Sequence, residues 1–122
     1  MGYVYVVQRQ FRYDSEKGSV VPRYDLAPAE KYGELRLILT DRTAVEKSAQ
    51  IISKMDLLLR NYSDDDYLLL IGHPVLIGWA TALAAAHNKG RIKQLVWSGK
   101  DRCYNPVESF LPIKPHRGNV LA

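Results

Sequence analysis

The chain carries a single cysteine, Cys103, so no disulfide can form within it and a reducing compartment is the simpler setting. Long apolar runs are missing as well. The longest, Pro74 to Ala86, is too short and too rich in alanine to span a bilayer, so no membrane association is expected. No basic-then-apolar segment precedes Tyr3, which argues against a secretory signal and for a cytoplasmic protein. The glycine pattern G-x-G-x-x-G and the lysine of a Walker A loop are both absent, which removes the two strongest sequence signs of a nucleotide site. His87 and His116 have no metal-ligand spacing with each other or with Cys103, so neither a metal nor another cofactor is expected. Internal repeats are lacking too.

What is present is an ordinary globular composition. The 122 residues suit one domain, and 47% hydrophobic residues allow a packed core without covalent staples. Charge is unevenly placed. Residues 1–88 hold 10 Lys/Arg against 11 Asp/Glu, whereas residues 89–122 hold 7 against 2, so the excess of positive charge lies in the last third. Arg91, Lys93, Lys100 and Arg102 there form a candidate basic surface for phosphates on nucleic acid, on a nucleotide or on an acidic protein. The plainer reading is a solvated edge strand with a charged tail, since lysines on edges discourage aggregation and no aromatic–basic stacking pattern is visible there.

Along the chain, Tyr3 to Phe11 reads as a strand, followed by a turn at Asp14–Gly18 and a short antiparallel return over Ser19–Val21 that Pro22 ends. Pro28 to Tyr32 suits one or two helical turns ended by Gly33. Leu35, Leu37 and Leu39 alternate in a strand beginning at Glu34. Thr43 and Glu46 make a capping box, which predicts a helix from Thr43 with Val45, Ala49, Ile52, Met55, Leu59 and Tyr62 on its apolar stripe. Tyr67 to Ile71 is continuously apolar between three aspartates and Gly72, the mark of a central strand buried on both faces. Pro74 then opens a helix at position N1, with His73 as N-cap, a run of small residues for close packing, and Asn88-Lys89-Gly90 as its stop. Ile92 to Trp97 is the next strand, and Ser98–Asp101 turns it into a hairpin with Arg102 to Val107.

The expected fold is therefore a single small α/β domain over residues 1–111 with a basic, flexible tail over 112–122. Its mixed sheet has two right-handed βαβ crossovers, helices packed on the sheet and a C-terminal β-hairpin, with the first and last strands added antiparallel.

The segment Asp65–Gly78, together with Arg91–Trp97 and Tyr104-Asn105-Pro106-Val107, resembles a group of small proteins of unknown function encoded by tailed bacteriophages. In that group the turn after the central strand commonly reads Gly-Asp-Pro, and the last hairpin ends in a Tyr-x-Pro-Val-like strand. His73 stands here in place of the aspartate, so no role of that acid carries over. The resemblance covers roughly residues 64–108, with echoes at Tyr24-Asp25-Leu26 and Pro28–Gly33. It implies a phage accessory product in the host cytoplasm, acting against host defence or metabolism, and brings no known activity.

Ligands of open α/β sheets gather beyond the carboxyl ends of the parallel strands. Those ends nominate Thr40, Asp41, Arg42, Thr43, Gly72, His73 and Ser98, and the first two lie at helix starts that favour an anion. A nucleotide-like or phosphorylated small molecule is the leading partner. Catalysis is the less favoured reading: Ser98 sits in a hairpin turn without a nucleophile elbow, and Cys103 reads as a packed small residue. The alternatives are a protein-binding inhibitor of a host factor and a weak nucleic-acid binder. Eight tyrosines, several beside arginines, favour protein contacts, including a homo-oligomer.

Overall fold

The computed structural model describes residues 2–39 and 44–113. β1 (Tyr3–Gln8) leads into a two-stranded arm, β2 (Phe11–Asp14) and β3 (Ser19–Pro22), and then a 3-10 helix, Ala27–Tyr32. β4 (Glu34–Leu39), α1 (Ser48–Leu59), β5 (Tyr67–Leu69), α2 (Pro74–His87), β6 (Arg91–Ser98) and β7 (Cys103–Phe110) follow. Five strands form one mixed sheet in the order β4-β1-β5-β6-β7, and β2 and β3 pair only with each other. Within the main sheet β7 alone is antiparallel, paired along the whole of β6 from Arg91↔Phe110 to Ser98↔Cys103.

One expectation about the sheet is overturned. β1 is not an antiparallel addition; it runs parallel to both β4 and β5 and lies between them. The reason is burial. From Val4 to Gln8 every residue of β1 is buried, a pattern only an interior strand covered on both faces can satisfy. β4, whose alternating leucines read as a strand, is the edge strand and buries only Ile38 and Leu39 fully.

Alternation along the interior strands separates two cores. Tyr5, Val7, Leu68 and Ile92 face α1 and α2, where Ile51, Met55 and Leu59 of one helix meet Leu76, Ala80 and Ala84 of the other. Val4, Val6, Leu69, Leu95 and Tyr104 face the opposite way, covered by Ala29 of the 3-10 helix and by partly buried rings. Leu68 and Leu69 are both fully buried on opposite faces, as the central strand requires. The small residues of α2 let it approach closely, and Ala80, Ala84 and Ala85 have no exposed surface.

The α1 helix departs from its predicted start. It begins at Ser48 with Lys47 at the N-cap position and no side-chain cap, while Thr43 lies outside the described residues. Its buried stripe is Ile51, Met55 and Leu59 at intervals of four, continued by Tyr62; Ala49 is exposed and Ile52 only half-buried. Asp66, the last of the three aspartates before β5, is buried. Its carboxylate accepts the Tyr3 N–H (2.7 Å), the Ser63 N–H (2.8 Å) and the Ser63 hydroxyl (3.2 Å), tying the start of β1 to the loop before β5. Nearby, Tyr62 Oη accepts the Lys93 N–H at 3.0 Å, and burial pushes its hydroxyl up to about 12.

The outer edge of β7 is blunted. Leu95 turns its carbonyl to β5, where it accepts the Leu70 N–H (3.2 Å), so the residue opposite, Pro106, directs its backbone away from β6. Proline offers no N–H there, and the Tyr104 carbonyl accepts the Tyr32 hydroxyl (3.1 Å), which protects this edge against strand addition. The arm has one apolar face, Phe11 opposite Pro22 and Tyr13 opposite Val20, and the last two are each about two-thirds exposed. No described helix is long and apolar enough to cross a membrane.

Candidate functional site

Counted among the sheet's own strands, the order is 2-1-3-4-5, that of doubly wound α/β sheets. From β1 the chain passes to one side, to β4, by way of the arm and the 3-10 helix; from β4 it returns across β1 to β5 and continues to β6. The direction therefore reverses at β1 and β5, and their carboxyl ends border the crevice where such sheets hold ligands.

Gln8, Gly72 and His73 meet there. Gln8 is 4% exposed, its N–H donates to the Ile71 carbonyl (2.9 Å), and its Oε1 accepts the His73 N–H (2.9 Å). Gly72 has φ +139°, and a Cβ on it would lie 2.8 Å from Gln8 Cβ, so glycine is demanded by the neighbouring strand as well as by the backbone. His73 caps α2 as expected: its Nδ1 accepts the Val75 N–H at 3.1 Å. Two of the donors at this helix start are thus engaged by Gln8 and His73 themselves.

Thr40, Asp41, Arg42 and Thr43 lie outside the described residues; Leu39, just before them, pairs with Gln8. Ser98 belongs to the β6–β7 turn, where its Oγ accepts the Asp101 N–H (3.3 Å) and donates to the Asp101 carboxylate (3.4 Å). The four basic candidates divide into two pairs. Arg91 and Lys93 stand near the start of β6, whereas Lys100 and Arg102 lie past its other end, about 25 Å away at the rise of a strand. Arg91 Nε donates to Asp64 Oδ1 (3.0 Å), and this bond, with one from Asn88, holds the Asp64 carboxyl below its usual range. Lys93 lies over the Tyr67 ring.

A cavity of about 420 Å3 opens at the root of the arm, lined by Arg9, Pro22, Tyr24, Asp25, Leu26 and Ala27. A smaller one beside it shares Arg9 and Tyr24 and reaches Ile71, at the end of β5. Arg9 follows Gln8 directly, and its guanidinium lies 5.2 Å from the centre of the Phe11 ring. Asp25 accepts the Ala27 N–H (3.0 Å), which shapes the cavity wall. Sequence reasoning missed Arg9 and Tyr24. The available signal was the polar end of the first strand, Gln8-Arg9-Gln10, which is itself the carboxyl end of a parallel strand.

Another cavity, about 400 Å3, lies at the opposite end of the sheet between Asp64, Arg91, Lys93, Glu108 and Phe110. Its position is away from the strand reversal, and part of its charge is already paired internally. Among the described residues no three His, Cys, Asp or Glu side chains gather as a metal-binding group.

These observations define a small open-sheet α/β protein with a crevice at its strand reversal. The chain belongs to the phage Pam3 gp32-like protein family, whose model it matches over residues 2–110. The expected kinship with small phage-encoded proteins is thereby shown, over more of the chain than the resemblance covered. Comparison with curated proteins gives no match, and neither does comparison with solved structures.

Proposed function

We propose that this phage protein binds a nucleotide-like or otherwise phosphorylated small molecule beyond the carboxyl ends of β1 and β5. The observation that carries the reading is the strand reversal with the arm-root cavity beside it. The cavity volume falls in the range of small-molecule sites. Arg9 supplies a cation for phosphate, Tyr24 a ring for a base or another flat group, and Asp25 an acceptor. Action against a host process rests on the phage family alone.

Calorimetric titration with a panel of nucleotides and dinucleotides tests this. Arg9→Ala is expected to weaken binding by about 1.5–3 kcal/mol, the range for a hydrogen bond to a charged group. Arg42→Ala belongs in the same series, because residues 40–43 follow β4 directly. The double change Lys100→Ala with Arg102→Ala is expected to do much less. A panel in which nothing binds, or an Arg9→Ala protein that binds as wild type does, overturns the reading.

A protein-contact reading is favoured by one observation, the exposed Tyr13–Val20 pair on the apolar face of the arm. If that face joins copies of the chain, Tyr13→Ser with Val20→Ser lowers the mass seen in sedimentation equilibrium. A wild type that is monomeric at high concentration leaves a host protein as the partner of this reading.

A further inference from the structure

The sheet face away from the helices carries a row of aromatic rings that no single stretch of sequence contains. Tyr24 stands edge-on to Trp97 (centroids 6.5 Å apart), and Trp97 packs on Tyr104 at 4.9 Å. Tyr32 donates its hydroxyl to the Tyr104 carbonyl and packs on Tyr67 at 5.1 Å. The row therefore crosses from the segment after the arm to the central strand. Tyr104 is buried, and its hydroxyl donates to the Asp25 carbonyl (2.8 Å); the other four rings are partly exposed.

Three of these rings are topped by cations. Arg23 lies 5.9 Å from the Tyr24 centroid, Lys31 lies 5.2 Å from that of Tyr32, and Lys93 lies 4.4 Å from that of Tyr67. Lys93 is directly opposite Glu108 on β7, yet its ammonium is over the ring and forms no ion pair with that carboxylate. A cation over an exposed ring is held by an interaction worth only about two- to fivefold. A base stacked on such a ring is worth roughly five- to 150-fold, and the released cation gains a phosphate. The exchange favours a ligand that brings flat rings and anions in alternation.

We infer that this face binds single-stranded nucleic acid, with bases on the partly exposed rings of Tyr24, Trp97, Tyr32 and Tyr67 and phosphates on Arg23, Lys31 and Lys93. Charge complementarity selects the occupant: three cations spaced along an aromatic row match a polyanion of stacked bases. A protein with an acidic surface would use the cations and leave the rings idle. The face shares Tyr24 with the arm-root cavity, but Tyr32, Tyr67, Lys31 and Lys93 lie outside that cavity, so changes at those residues test strand binding by itself.

The test uses the full chain and short fluorescein-labelled oligo-dT and oligo-U strands, read by anisotropy and by tryptophan emission. Binding of either strand is expected at low salt, with quenching of tryptophan emission that is absent in Trp97→Phe, whose remaining tryptophan, Trp79, lies on α2. Three phosphate contacts give a slope of log K against log salt of about −2, and Lys31→Glu with Lys93→Glu reduces it to about −0.7 with at least tenfold weaker binding. Arg23→Glu with Lys31→Glu, both on exposed residues outside the sheet, serves if the Lys93 change prevents folding. The inference fails if neither strand binds at low salt. It fails if a duplex of equal length binds as tightly, because charge alone would then explain the contact. It fails also if Lys100→Glu with Arg102→Glu weakens binding more than the Lys31 and Lys93 changes do.

Discussion

Replacing Gln8 by methionine removes the side-chain bond that joins the strand reversal to α2. Methionine keeps the Cβ, against which Gly72 is fitted, and the length of the side chain, so packing changes little. The amide group is lost, and with it the Oε1 acceptor 2.9 Å from the His73 N–H. That donor belongs to His73, an exposed residue, but it faces a side chain only 4% exposed, so water replaces the lost partner only in part. The cost of such an unsatisfied group is about 1–3 kcal/mol. For a chain of this size that corresponds to a fall in Tm of about 4–12 °C, taking roughly 4 °C per kcal/mol. Urea denaturation followed by circular dichroism gives the free energy directly, and an unchanged slope confirms that only stability has moved. A Gln8→Met protein within about 0.5 kcal/mol of wild type would refute the view that Gln8 anchors this helix start, since that is the ordinary range of a neutral substitution.

Other consequences follow from the same packing. Leu69→Asp puts a carboxylate into a fully buried position on the central strand and is expected to abolish folding; a soluble variant with a cooperative melt would contradict the sheet order. Burial pushes the hydroxyls of Tyr62 and Tyr104 up to about 12, so the protonated forms stabilise the fold. That contribution is complete below the unfolded value near 10 and is lost as pH rises through about 12, so Tm should fall over this window, and less steeply in Tyr62→Phe and Tyr104→Phe. Equal slopes in all three proteins would show that other groups control alkaline unfolding. Pro106→Val restores an N–H to the free edge of β7 and is expected to promote association in sedimentation velocity; no change would mean that the proline does not protect this edge.

Local patterns made much of the fold legible. Tyr67 to Ile71 announces an interior strand because the run is continuously apolar, and the Gly72-His73-Pro74 turn announces the following helix. Proline preset the helical φ, and the histidine ring reached the Val75 N–H two residues on. The hairpin of β6 and β7 was equally readable, since its partners are neighbours in the chain. Of the candidate site, Gly72 and His73 were found from the same turn. Arg9 and Tyr24 were not, because they meet only through the return of the chain from the arm.

Alternation states which residues of a strand are apolar, but not which strand lies beside it. Backbone hydrogen bonds are the same for any neighbour, so the insertion of β1 between β4 and β5 was decided by competition for the most buried position, which its unbroken apolar run wins. The strand reversal and the Gln8–His73 bond across 65 residues both descend from that choice. The sequence by itself determined the elements and their apolar faces, because those depend on residues a few positions apart. Tertiary structure alone decided which of those elements touch, because the energy of burial is collective and belongs to no single segment.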